Sequence, residues 1–186
     1  PVERSGVFDD ATHGGQIIRL ANENFVIAGL SDSAGDGSTT GILLENNSGI
    51  YFLNEILPQQ GNVISSYTMA ALGTGGYVVV WQEFDPVADD VNLRAQLFDF
   101  SGDTVGAAFT VHQAEQWMQG RPAVAPLAGG GFVVSWSDTS GSGADRDGMA
   151  IRAAAFTGTG ERLIDDFVPT PQTLGDQTDS ALASLD

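Results

Sequence analysis

Cysteine is absent from the 186 residues. That excludes a disulfide framework, a thiol nucleophile and cysteine-ligated zinc. Lysine is absent too. The seven basic residues are all arginine and stand against 24 acidic ones, for a net charge of −17. Such a charge repels nucleic acid and anionic membrane surfaces, so no nucleic-acid partner is expected. No apolar run approaches the ~20 residues of a membrane span, so no membrane insertion is expected. No basic-plus-apolar signal segment opens the chain. Histidine is scarce: His13 and His112 are too few for a histidine metal site, and both are read as surface residues. There is no nucleophile elbow, metalloprotease helix or phosphate-binding glycine loop.

What is present is apolar and rich in turns. Hydrophobic residues make up 42% of the chain, well above the level of a disordered acidic tail, and there are 24 glycines. The chain also repeats itself. Ala71 to Trp81 (Ala-Leu-Gly-Thr-Gly-Gly-Tyr-Val-Val-Val-Trp) answers Pro126 to Trp136 (Pro-Leu-Ala-Gly-Gly-Gly-Phe-Val-Val-Ser-Trp) at an offset of 55. Arg94 to Phe98 answers Arg152 to Phe156, and Phe109 to Val111 answers Phe167 to Pro169, both at 58. The extra residues fall in an Asp/Gly-rich loop between Trp and Arg, as surface loops allow. A weaker first copy holds Asn24 to Leu30, with Glu23 and Asn24 where the paired glycines stand. A fourth begins at Gln177, parallel to Gln119. The repeats run over about 14–65, 66–120 and 121–176, with a partial fourth at 177–186. The chain reads as one β-repeat domain within a longer array.

Each copy predicts four short strands. In the third they are 123–127, 132–137, 150–156 and 163–168. The glycine run 128–131 makes a hairpin turn. The second strand is a near-continuous β-branched run, as in a strand buried on both faces. The predicted fold is all-β: a β-propeller-like array of four-stranded antiparallel sheets. Stacked β-sandwich-like repeats are the alternative. Three sheets are fewer than a closed propeller uses, and an open end exposes a strand edge. Self-association, or a neighbouring chain segment completing the fourth repeat, is therefore expected.

The loops after the second strands carry the candidate metal ligands. They are Asp138, Asp145 and Asp147 in the third copy, Asp85, Asp89 and Asp90 in the second, and Asp32 and Asp36 in the first. Calcium takes six to eight oxygens on a sharply turning backbone, and these loops supply carboxylates of that kind. The same residue types also make ordinary turns. Trp81 and Trp136 end buried strands and are expected to pack between sheets. Trp117 lies in a polar connection and is the candidate for stacking on a sugar ring. Arg94 and Arg152 are expected to pair with the acidic loops before them. No pair among the 24 acids is singled out for catalysis.

Gly-Gly-Tyr-Val-Val-Val-Trp at 75–81, Asn-Leu-Arg-Ala-Gln-Leu-Phe-Asp at 92–99, Ser-Gly-Asp-Thr-Val-Gly at 101–106 and Phe-Thr-Val at 109–111 form a motif. It resembles a repeat of large secreted bacterial proteins of the RTX-type, adhesin-like, calcium-binding group. The third copy, Gly130 to Val168, fits nearly as well. The nonapeptide calcium repeats of that group are absent, so bound Ca2+ is implied by the resemblance alone. The resemblance implies an extracellular or bacterial cell-surface location and a glycan or cell-surface ligand. The resulting expectation is a non-enzymatic β-repeat module for adhesion, with calcium-stabilised loops. The alternatives are a structural subunit of a surface layer or fibre, and a polysaccharide-acting hydrolase or lyase on a propeller scaffold.

Overall fold

A computed structural model describes residues 15–31, 41–46, 52–56, 58, 61–113, 119–141, 145–171 and 174–184. Among these there are twelve strands and no helix. The first sheet holds β1 (Gln16–Arg19), β2 (Phe25–Ser31), β3 (Gly41–Asn46) and β4 (Phe52–Ile56). The second holds β5 (Val63–Ala71), β6 (Tyr77–Asp85), β7 (Asp90–Phe98) and β8 (Thr104–Thr110). The third holds β9 (Gln119–Pro126), β10 (Phe132–Asp138), β11 (Ala150–Phe156) and β12 (Arg162–Phe167). In each sheet the strands lie in chain order. Every pairing is antiparallel. The fold is all-β, as its strand pattern predicts.

The same hairpin turn opens all three sheets. Leu20, Leu72 and Leu127 donate their N–H groups to the carbonyls of Asn24, Gly76 and Gly131, at 2.7, 3.1 and 2.8 Å. The N–H groups of Glu23, Gly75 and Gly130 return to the carbonyls of those leucines, at 3.0, 3.0 and 2.9 Å. This turn needs a left-handed residue at its fourth place. Gly75 and Gly130 supply it with φ of 102° and 87°, and Glu23 takes it at 69°. Glycine does this without a steric penalty; a side chain does not.

β6 is apolar along its length because it meets a neighbour on each face. Tyr77, Val79 and Trp81 pack with Val26, Ala28 and Met69 towards the first sheet. Val78 and Val80 pack with Phe132, Val134, Trp136 and Phe156 towards the third. Val78, Val79 and Val80 are fully buried. Each such side chain contributes about 1.5–3 kcal/mol through removal from water. Trp81 and Trp136 each face the preceding sheet, so their inter-sheet packing follows the sequence expectation. All seven residues of β11 are buried.

The first strands bring neighbouring sheets together. β1 packs against β5, and β9 against β5, β6 and β7. Gln16 grips the backbone of β5. Its Nε2 donates to the Tyr67 carbonyl at 3.2 Å, and its Oε1 accepts from the Met69 N–H at 3.1 Å. Tyr67 then reaches the first sheet, its hydroxyl donating to the Ala28 carbonyl at 2.7 Å. Residues 174–184 follow the third sheet without entering it. Gln177 N donates to the Met149 carbonyl at 2.7 Å, and the Ser135 and Ser180 hydroxyls are 2.7 Å apart.

Candidate functional site

The hairpin turns converge. A groove of about 550 Å3 is lined by Arg19, Leu20, Ala21 and Glu23 from the first sheet and Ala71, Leu72 and Gly73 from the second. Pro126, Leu127 and Ala128 from the third sheet, and Ser184 beyond it, complete the wall. These are the same repeat position met four times. Leu20, Leu72 and Leu127 are equivalent through their shared turn. Ser184 stands 58 residues after Pro126, the offset that relates Gln177 to Gln119. Its volume lies within the ordinary range for small-molecule and cofactor pockets.

Leu20 and Leu72 are buried and form the floor, while Leu127 is partly exposed. The charged side chains of the lining are Arg19 and Glu23, paired with Nη2–Oε1 at 3.2 Å. Glu23 is unusual on two counts. Its φ of 69° is a conformation few non-glycine residues adopt, and the two equivalent turns place glycine there. Glu23 also lines the groove, with an exposed side chain. The sequence shows the signal as an acid standing where its repeats carry glycine.

The other ends of the strands carry the predicted metal ligands. Asp138 is buried at the end of β10. Its Oδ1 accepts the Ser140 N–H at 2.7 Å and the Ser140 hydroxyl, and lies 3.2 Å from Arg152 Nε. Asp145 is buried, and its Oδ1 accepts the Asp147 N–H at 3.2 Å. Asp147 is exposed and accepts the Gly175 N–H at 3.2 Å. In the second sheet, Asp85 Oδ1 accepts the N–H groups of Val87 and Ala88 at 2.8 and 3.0 Å. Asp90 pairs with Asp85 across the hairpin and accepts from Asn92 Nδ2 at 3.2 Å. Asp89 is exposed with a φ of 52°.

These aspartates act as turn caps and ion-pair partners. Among the described residues, no group of three or more His, Asp or Glu gathers that could hold a metal. The Oδ2 atoms of Asp138 and Asp145 are buried without a hydrogen-bond partner. Asp32, Asp36, Trp117 and His13 lie outside the described residues.

The two arginines divide. Arg152 forms the expected ion pair, with Asp138. Arg94 turns to β8 instead, donating to the Ala108 carbonyl at 3.3 Å and the Thr110 hydroxyl at 3.4 Å. His112, read as a surface residue, is buried. The tryptophans differ in their polar ends. Trp81 Nε1 donates to Glu83 Oε2 at 3.0 Å. In the third sheet an aspartate, Asp138, holds the place two residues beyond the tryptophan, and Trp136 Nε1 has no hydrogen-bond partner.

No family model matches the chain, and no curated protein matches it. Among solved structures, it is similar to an α-L-arabinofuranosidase from Lactobacillus brevis at 12% identity and a TM-score of 0.47. That match covers 81% of this chain and 51% of the other. It is also similar to an exo-β-1,3-galactanase from Phanerochaete chrysosporium solved with galactose, at 12% identity and a TM-score of 0.30, covering 82% and 50%. A second structure of that galactanase, with β-1,3-galactotriose, matches at 12% identity and 0.29, covering 78% and 47%. The chain thus spans about half the length of the structures it matches. All three are glycoside hydrolases, so the expectation of a non-enzymatic adhesion module is corrected. At these identities and TM-scores the likeness assigns no activity.

Proposed function

We propose that the three sheets are consecutive blades of a β-propeller, and that the protein acts on polysaccharide, as a hydrolase or lyase, in the groove at the propeller axis. The observation that carries this reading is the groove itself, lined by one repeat position from four successive repeats. In a linear stack, sheets sit about 10 Å apart, so four equivalent positions would spread over roughly 30 Å. A common groove favours blades arranged around an axis. Substrate then enters where the turns meet, and Glu23 is the carboxylate that meets it. A turn held in a costly conformation points to selection for what its side chain does, since strain of this kind clusters at working sites. A polymeric substrate is met outside the cell, so the reading carries an extracellular or cell-surface location with it.

The test is a panel of purified polysaccharides incubated with the whole chain, followed by reducing-end release and by absorbance of unsaturated products. Turnover lost in Glu23→Gln supports the reading. Turnover that survives that substitution removes Glu23 from it, and no turnover on any polymer removes the catalytic claim.

A further inference from the structure

We infer that the polysaccharide is uncharged, and that polymers bearing carboxylate or sulfate are excluded. This rests on the polysaccharide-acting reading of the groove, names its substrate class and narrows the reading to a hydrolase, because eliminative cleavage needs a uronate carboxylate beside the abstracted proton. Recognition of an anionic sugar needs a cation, most often an arginine fork free to clasp the carboxylate or sulfate. The chain has no lysine and seven arginines. Six of the seven are among the described residues, and each is engaged. Arg19 is paired with Glu23, Arg121 with Asp179, Arg152 with Asp138 and Arg162 with Asp166. Arg94 is bound to β8, and Arg146 is engaged as well.

In the groove, the Arg19 charge is offset by Glu23 at 3.2 Å, and the rest of the lining is aliphatic or small. Leu72, Pro126 and Leu127 offer surfaces to the C–H faces of a neutral sugar. The net charge of −17 adds a field that turns polyanions away before contact. Groove and field therefore select the same substrate class.

The experiment is native affinity electrophoresis of the whole chain through gels containing neutral polymers (galactan, mannan, dextran) or anionic ones (polygalacturonate, alginate, a sulfated galactan). It is run at about 20 mM and about 500 mM NaCl, on either side of the screening range. Retardation by at least one neutral polymer, changing less than about twofold with salt, together with none by the anionic polymers at low salt, is the expected result. Tighter retention by an anionic polymer overturns the inference and leaves the polysaccharide reading standing. Retention by no polymer of either class overturns both.

Discussion

Arg121 and Asp179 stand 58 residues apart, share a left-handed backbone with φ of 53° and 59°, and are ion-paired to each other. They occupy equivalent places in the third repeat and the segment that follows it. Equivalent residues of successive units can touch only where the units come close, and they come close at their first strands. Elsewhere Gln16 bonds the two neighbours of its counterpart Thr68, and in the turns Thr74 bonds Gly130, next to its counterpart Gly129. The contact also pins residues 177–184 to the third sheet.

This pin responds to acid. The Arg121 guanidinium, with a further hydrogen bond from Thr178, holds the Asp179 carboxyl below its ordinary value of 3.8. A depressed folded-state pKa means the pair contributes fully above pH 3.8 and is lost as the pH falls through the lower folded value. Both groups are exposed, so the effect on global stability is small. The expected outcome is local: amide exchange across 177–180 accelerates below that pH while β6 stays protected. Asp179→Asn should show the faster exchange already at neutral pH.

Alkali acts on the interior instead. Burial pushes the Tyr67 hydroxyl up, and burial followed by the Asp99 charge pushes Tyr77 up further. A raised folded-state pKa means stability is intact below the unfolded value of 10.0 and falls as the pH climbs through the folded values. The measurement is tyrosinate absorbance against pH. Tyr67 and Tyr77 should ionise only with unfolding, seen as coincident loss of β-sheet circular dichroism.

The two tryptophans should respond differently to one substitution. Each is buried and faces the preceding sheet, so Trp→Phe removes similar packing at both. At Trp81 it also removes the donor to the buried Glu83 carboxylate. A hydrogen bond to a charged group contributes about 1.5–3 kcal/mol. Trp81→Phe should be the more destabilising of the two by about that amount in urea unfolding. Equal losses would mean that the Trp81–Glu83 bond contributes nothing net.

Much of the fold was legible because periodicity reports burial directly. The Tyr77–Trp81 run predicted a strand covered on both faces, and it is; in the Phe132–Trp136 run one face is buried in the core while Val133 on the other is half-buried. The first repeat was harder to read, since Glu23 and Asn24 hide a turn that other copies mark with glycine. The site was far less legible. Its walls come from four distant segments of aliphatic and small residues, and no motif announces a groove whose chemistry lies in its shape. The aspartate loops are ambiguous in sequence for a related reason. A carboxylate that caps a turn N–H and one that binds calcium look alike in sequence, and only geometry separates Asp85 on Val87 from a ligand. His112 looked exposed because a polar residue after a strand usually is. Here Val111 N–H stays bonded to Leu93 and draws the chain inward.

The buried ion pair sets a second stability test. Arg152 and Asp138 are almost wholly removed from water. Removing one partner of such a pair costs about 3–5 kcal/mol, because the other charge stays buried without compensation. Arg152→Ala should lose about that much. Arg152→Ala with Asp138→Ala should lose less than the sum of the single changes, by a margin that urea unfolding resolves. Additive losses would show that the two charges are not coupled.

Glu23→Gly separates function from architecture. The left-handed conformation costs a side chain about 1–2 kcal/mol, and glycine releases that. Against this stand glycine's extra chain entropy, about 0.5–1 kcal/mol, and an exposed ion pair worth about 0–1 kcal/mol. Stability should therefore hold level or rise slightly, giving the first turn the residue its two counterparts already have. If Glu23 served the turn alone, that would be the whole effect. As the carboxylate of the groove, its loss should lower turnover on the responsive polysaccharide by at least about 10²-fold, the usual contribution of a positioned acid or base. A melting temperature that holds or rises beside that loss identifies a residue kept for chemistry at the fold's expense. Unchanged turnover would return Glu23 to the turn and leave the groove without its carboxylate.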